Sequence, residues 1–218
     1  MSTIFILWLR QLKRSIRSKA RVIGSLVQPI LFLLALGYGF GPVFQKAGDG
    51  NYLQFLTPGI IAMTILFSSV VSGMDIIWDK KFVFLKETLV APVSRINIML
   101  GRTLGGATIS IIQGFFVLAI ASLLGFRPIS ILALPWTAIF IILIAILFTA
   151  LGTAIASVLE DMQGFQMIMN FLVMPIFFLS VAISSLKDLP KGLVAIAKLD
   201  QLSYGVDGLR GTLIGKWV

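Results

Sequence analysis

Five long apolar runs, at about 22–44, 57–78, 103–126, 136–159 and 165–185, dominate this chain and leave little room for a water-soluble fold. About 20 apolar residues in helical form cross the hydrocarbon core of a bilayer. Inside that core every backbone N–H and C=O must be paired internally, which a helix achieves alone. The expected fold class is therefore all-α, a polytopic membrane helix bundle. Hydrophobic residues make up 58% of the chain and charged residues 12%, with a mean hydropathy of +1.01. Charged residues are thus about half the usual share of a globular domain. The first run is too long, and lacks the small-residue exit, for a cleaved signal segment, so it is expected to remain as a span.

The net charge of +9 does not point to nucleic acid. The basic residues flank apolar runs instead of forming a patch with interleaved aromatics. They read as topology signals and as attraction to anionic lipid. Residues 1–21 carry Arg10, Lys13, Arg14, Arg17, Lys19 and Arg21 and no acid, and Ile4, Leu7, Trp8, Leu12 and Ile16 recur at helical spacing. That pattern predicts a cytoplasmic amphipathic helix lying in the membrane surface. A multi-pass protein of the plasma membrane with a cytoplasmic N-terminus follows. With neither Cys nor His in the chain, thiolate and imidazole metal sites and Ser-His-Asp or Cys-His chemistry are excluded, and no cofactor is expected.

Few polar residues lie within the runs. Gln28 and Pro29 interrupt the first, and Thr57 reads as the cap of the second with Pro58 following. Asp75 falls about one turn from the inner end of the second run, shallow enough to reach interfacial water or Lys80. Gln113 lies mid-way along the third. Gly101 to Gly105, and Gly106 through Ser110 to Gly114, are four-residue small-to-small steps that predict close helix approach on one face. Gln28, Asp75, Gln113, Asn170 and Pro175 are candidates for a translocation path, with helix packing as the alternative role. Asn170 and Pro175 need a partner helix or a wet cavity. The tail, 187–218, holds two amphipathic pieces too short to span, expected to be interfacial or re-entrant on the outer side.

The only long charged interval inside the apolar body runs over 79–102, with Lys80, Lys81, Lys86, Arg95 and Arg102 against Asp79 and Glu87. Its basic character places it on the cytoplasmic side. Phe82, Phe84, Leu85 and Leu89 supply an apolar face, which suits a short surface helix ended by Pro92, with Ser94 capping the next helix. A solvated turn that only fixes topology and a docking element for a cytosolic partner both fit this pattern.

The residues Glu87-Thr-Leu-Val-Ala-Pro92-Val-Ser-Arg95, then Leu100-Gly-Arg102-Thr-Leu-Gly-Gly106, and the later stretch Leu202 to Gly215, resemble the type-two ATP-binding-cassette exporter permeases, especially the daunorubicin-resistance type. The resemblance covers nearly the whole chain in span order. It implies that the 79–102 loop carries a coupling helix meeting a separate ATPase, with Lys80, Lys81, Phe84, Glu87, Pro92 and Arg95 as the coupling residues. It also implies a permease dimer and export of an amphiphilic drug or antibiotic. Relatives that export lipid-linked glycans or lipo-oligosaccharides give the alternative cargo. A sixth span, normal in that family, would follow where this sequence stops, so truncation is expected. No Gly-x-x-x-x-Gly-Lys-Ser/Thr loop is present, so the nucleotide site must lie on another chain. An ion-coupled secondary transporter would call for more buried acids than Asp75 and for internal repeats.

Overall fold

Over their described residues the apolar runs fold mainly as helices. The computed structural model describes residues 3–39, 52–81, 94–180 and 200–215, and among these no strand occurs. The elements are α1 (Thr3–Arg17), α2 (Lys19–Gly39), α3 (Tyr52–Ser72), α4 (Met74–Lys81), α5 (Arg95–Leu123), α6 (Leu134–Val158), α7 (Met162–Ile168), α8 (Met174–Leu179) and α9 (Gln201–Ile214). A π turn, Met169–Val173, joins α7 to α8, and a 3-10 turn, Ile131–Ala133, precedes α6. Four helical stretches are long and apolar enough to cross a membrane: Tyr52–Lys81, Arg95–Leu123, Leu134–Val158 and Met162–Leu179. The bent pair Thr3–Arg17 and Val22–Gly37, with axes 70° apart, makes a fifth by the same measure. The structure is a polytopic helical bundle.

Small residues set how closely the spans cross. A Cβ on Gly73, in the turn between α3 and α4, would lie 2.4 Å from the Gly152 carbonyl oxygen, and one on Gly152 would lie 2.8 Å from Val70 Cα. The α3 and α6 backbones therefore meet where neither chain has a side chain, a contact that bulk apolar residues forbid. Ser69 Oγ donates to the Ala145 carbonyl across the same seam at 3.3 Å. Around it, Ile61, Leu66, Val70, Ile77, Ile141 and Ala145 are fully buried.

The stripe on α5 serves two neighbours rather than one. Gly101 and Gly105 lie under α1, since a Cβ there would press on Ile4, Leu7 and Gln11. Gly106 faces Ser72 and Thr149, and Gly114 faces Ile65 and Ile141. Ser110 hydrogen-bonds Ser68 at 3.0 Å. At about 100° per residue, Gly101 and Gly106 point some 140° apart, so a single close face was never available.

Two boundary expectations change. Thr57 is not a cap: α3 starts at Tyr52, and the Thr57 hydroxyl donates to the Leu53 carbonyl one turn back at 2.7 Å. Ser94 holds the position before α5 with extended backbone, but its side chain makes no capping bond. The final described helix, α9, packs into the bundle. Leu202, Val206, Leu209 and Leu213 are fully buried against α3 and α6, and Arg210 is buried with them. The Arg210 guanidinium stacks over the Phe55 ring at 4.0 Å, a favourable cation–π arrangement. Residues 181–199, which hold the other amphipathic piece of the tail, lie outside the described residues.

Candidate functional site

The polar centre of this bundle is where α1 crosses the inner ends of α4 and α5. Two sequence patterns build it. Arg10 and Arg14 are four residues apart on α1, and Asp75 and Asp79 are four apart on α4, so each pair projects from one helix face. Arg10 grips Asp79 with both terminal nitrogens, at 3.0 and 3.2 Å. Arg14 reaches both acids, Asp79 at 3.2 Å and Asp75 at 3.4 Å. Gln11 donates to Asp75 at 2.6 Å, and Arg102 Nη2 of α5 lies 2.8 Å from Asp79, a close charge contact lying off the hydrogen-bond axis.

Asp75, Asp79, Gln11 and Arg102 are buried, whereas the side chains of Arg10 and Arg14 remain about one-third exposed. Two carboxylates thus face three guanidiniums, which leaves a net positive cluster at the basic end of the bundle. Buried carboxylates are tolerated because every one is paired and hydrogen-bonded; stripping away one partner would strand charge in an apolar setting.

Packing fixes the same crossing. Leu7, Gln11 and Ser15 of α1 are buried, and the Trp8 indole N–H donates to Thr108 on α5 at 3.0 Å. Arg10, Gln11 and Arg14 turn toward the protein, while Lys13 and Arg17 on the same helix stay exposed. The reading of Asp75 is corrected. At 4% exposure it is buried and engaged by Gln11 and Arg14, while the Lys80 ammonium is turned to the end of α6. Arg102, counted with the charged loop, is in the interior instead.

Lys80 is also engaged internally. Its ammonium donates to the carbonyls of Ala156, Ser157 and Leu159, at 3.1, 2.6 and 2.9 Å. These carbonyls end α6 and have no intrahelical partner, so a cation there satisfies both the lone pairs and the helix dipole. All three ammonium hydrogens are used. Lys81 and Arg95 are exposed at the two edges of the central loop. Phe84, Glu87 and Pro92 lie outside the described residues. A groove of about 750 Å³ beside the loop is lined by Lys80, Lys81, Glu160 and Asp161 among others.

The candidate path residues separate. Gln28 and Asp75 share a crevice with Gln113, whose amide donates to Ser25 Oγ at 2.9 Å. Asn170 and Pro175 do not turn into the bundle: both are exposed on the outer face of the α7–α8 span, where the backbone widens into the π turn. Sequence reasoning missed Arg10, Arg14 and Asp79 as one unit. The matching four-residue spacings of arginine and aspartate were the available signal.

A model of the ABC-2 type transporter membrane domain matches residues 2–214. The chain belongs to the ABC-2 type transporter family. It is 31% identical over 216 residues to a ycf38 protein from Cyanophora paradoxa, covering 95% of this chain and 72% of that one. It is 25% identical over 214 residues to the inner membrane transport permease YadH of Escherichia coli strain K12, covering 96% and 82%. Nodulation protein J of Rhizobium leguminosarum bv. viciae is 23% identical over 201 residues, covering 90% and 76%. Membership makes this ABC-2 chain a multi-pass membrane permease of an ABC transporter, and a family of this kind works with an ABC ATPase.

Proposed function

We propose that this chain is the export permease of a two-component pump, moving an amphiphilic, drug- or antibiotic-like molecule outward with energy from a separate ATPase. The ATPase docks at the basic end, on the central loop and the Lys81–Arg95 edges. The observation that carries this reading is the Arg10–Arg14–Asp75–Asp79–Arg102 cluster. It ties α1 to the helices that enter and leave the central loop, so a push on that loop is delivered to α1, α3 and α5 together. The groove beside the loop, with both lysine and carboxylate lining, supports a polar protein contact there. The basic end is cytoplasmic on the positive-inside rule.

A second copy completes the pump. Only 22% of the Met162–Leu179 span is buried within one protomer, and its exposed face carries Gln163, Gln166 and Asn170. Amides at membrane depth call for a protein partner or a wet path, and a homodimer supplies either.

The test is reconstitution with the ATPase in proteoliposomes. ATP-dependent, vanadate-sensitive movement of an amphiphilic dye is expected, together with co-purification of the two chains. Transport by this chain alone along a proton or sodium gradient would refute the reading.

A further inference from the structure

The cations of α1 divide into two sets. Arg10 and Arg14 turn inward to Asp75 and Asp79, whereas Lys13 and Arg17 stay exposed. The side chains of Lys13 and Arg17 make no ion pair or hydrogen bond among the described residues. They are four residues apart, so they share one helix face. The cluster beside them already sets three guanidiniums against two carboxylates and does not offset their charge.

On the other flank of the same two turns is an apolar groove of about 290 Å³, formed where α1 bends into α2 and both meet α5. Leu12 and Ile16 of α1, Ile23 of α2, and Ile109, Ile112 and Phe116 of α5 line it. Ile16 is 71% exposed and Ile23 63%, so the groove is open toward the bilayer. From Ile109 to Phe116 it follows α5 for about 10 Å, at 1.5 Å per residue, away from the basic end. At about 100° per residue, Lys13 lies some 60° round α1 from Ile16, within reach of a long side chain at the groove's upper rim. An apolar slot running into the membrane from beside two exposed cations has the layout of one phospholipid, chain below and phosphate above. A soluble anion would leave the slot unused, and a zwitterionic head would bring its own ammonium against Lys13 and Arg17.

We propose that an anionic phospholipid of the leaflet at the basic end is seated at the α1–α2 elbow. One acyl chain lies in the groove, and the phosphate takes Lys13 and Arg17. The general attraction of basic residues to anionic membranes depends on summed charge; this site depends on two particular cations and on the groove beside them. It fills the angle between α1 and α2, whose axes are 70° apart, and it does not require the ATPase.

The experiment uses the full chain in phosphatidylcholine nanodiscs with a trace of photoactivatable phosphatidylglycerol or photoactivatable phosphatidylcholine, their chains identical. Cross-linked peptides are mapped after irradiation. Phosphatidylglycerol is expected to label segments 12–23 and 109–116 about fivefold or more over phosphatidylcholine, the preference due to one cation engaged at a membrane surface. Lys13→Gln with Arg17→Gln, both exposed, is expected to abolish that preference. Lys81→Gln with Arg95→Gln removes the same charge from the same end of the bundle and is expected to leave it intact. Equal losses from the two pairs would reduce the effect to general attraction and overturn the proposal, as would equal labelling by the two lipids. Ile112→Trp, on the exposed α5 wall, is expected to bring phosphatidylglycerol labelling down to the phosphatidylcholine level; unchanged labelling would mean that no chain enters the groove, and would also overturn it. Excess soluble glycerol phosphate is expected to leave the labelling unchanged, because it has no chain to seat. Displacement by it would assign the two cations to a free anion and refute the lipid.

Discussion

The seam between α1 and α5 and the broken span formed by α7 and α8 both carry polar side chains at membrane depth, but they dispose of them in opposite ways. Along the seam, Arg10, Gln11, Arg14 and Arg102 pair with Asp75 and Asp79 inside one protomer. Along the broken span, Gln163, Gln166 and Asn170 point away from the protomer. A closed network holds helices in one arrangement, whereas open amides on an under-buried helix leave that surface to something outside the chain. On the proposed reading, the first region transmits force and the second meets a second copy.

The contrast can be broken most severely at Asp79. Asp79→Asn removes the negative charge shared by Arg10, Arg14 and Arg102, and loss of a buried pair's partner costs about 3–5 kcal/mol. Thermal unfolding of the detergent-solubilised chain is expected to shift down accordingly, with loss of export. Lys80→Met removes hydrogen bonds from a charged donor to the α6 carbonyls, each set costing roughly 1.5–3 kcal/mol. Hydrogen exchange near 156–160 is expected to accelerate while the α1 seam stays protected. Gly105→Leu would force α1 away, since a Cβ alone would come within 2.6 Å of Gln11 Cβ. Overpacking of that kind costs about 1–3 kcal/mol, read as faster proteolysis of α1.

The smallest effect belongs to the other region. Gln166→Leu with Asn170→Leu is expected to leave protomer melting within about 0.5 kcal/mol of the parent. Dimer affinity should fall about threefold for each interhelical hydrogen bond lost, near the average of about 0.6 kcal/mol for such bonds. Single-molecule photobleaching in liposomes would measure it. A drop in protomer stability instead would place these amides inside the fold and erase the contrast.

The span order, the small-residue packing and the charged central interval were legible because each depends on local spacing and on the intolerance of a bilayer for unpaired backbone. What the local pattern could not show is which neighbour a side chain meets. Asp75 looked shallow on its own helix, yet the crossing of α1 over it buries it. Lys80 looked like a surface cation, yet the end of α6 comes down beside it. Gly101 and Gly106 looked like one stripe, and only the arrangement of α1 and α3 around α5 separates their roles. Asn170 and Pro175 were expected to need partners, but among the described residues both stay exposed.

The central claim is that the Asp79-centred cluster clamps α1 to the spans and that export works through this clamp. A double-mutant cycle between Arg10→Met and Asp79→Asn, read on both thermal stability and ATP-driven export with the ATPase present, tests it most directly. The expected result is a coupling of about 0.5–3 kcal/mol, as for residues in one charge network, with export falling in each single variant. Additive effects on stability, or full export in Asp79→Asn, would contradict it.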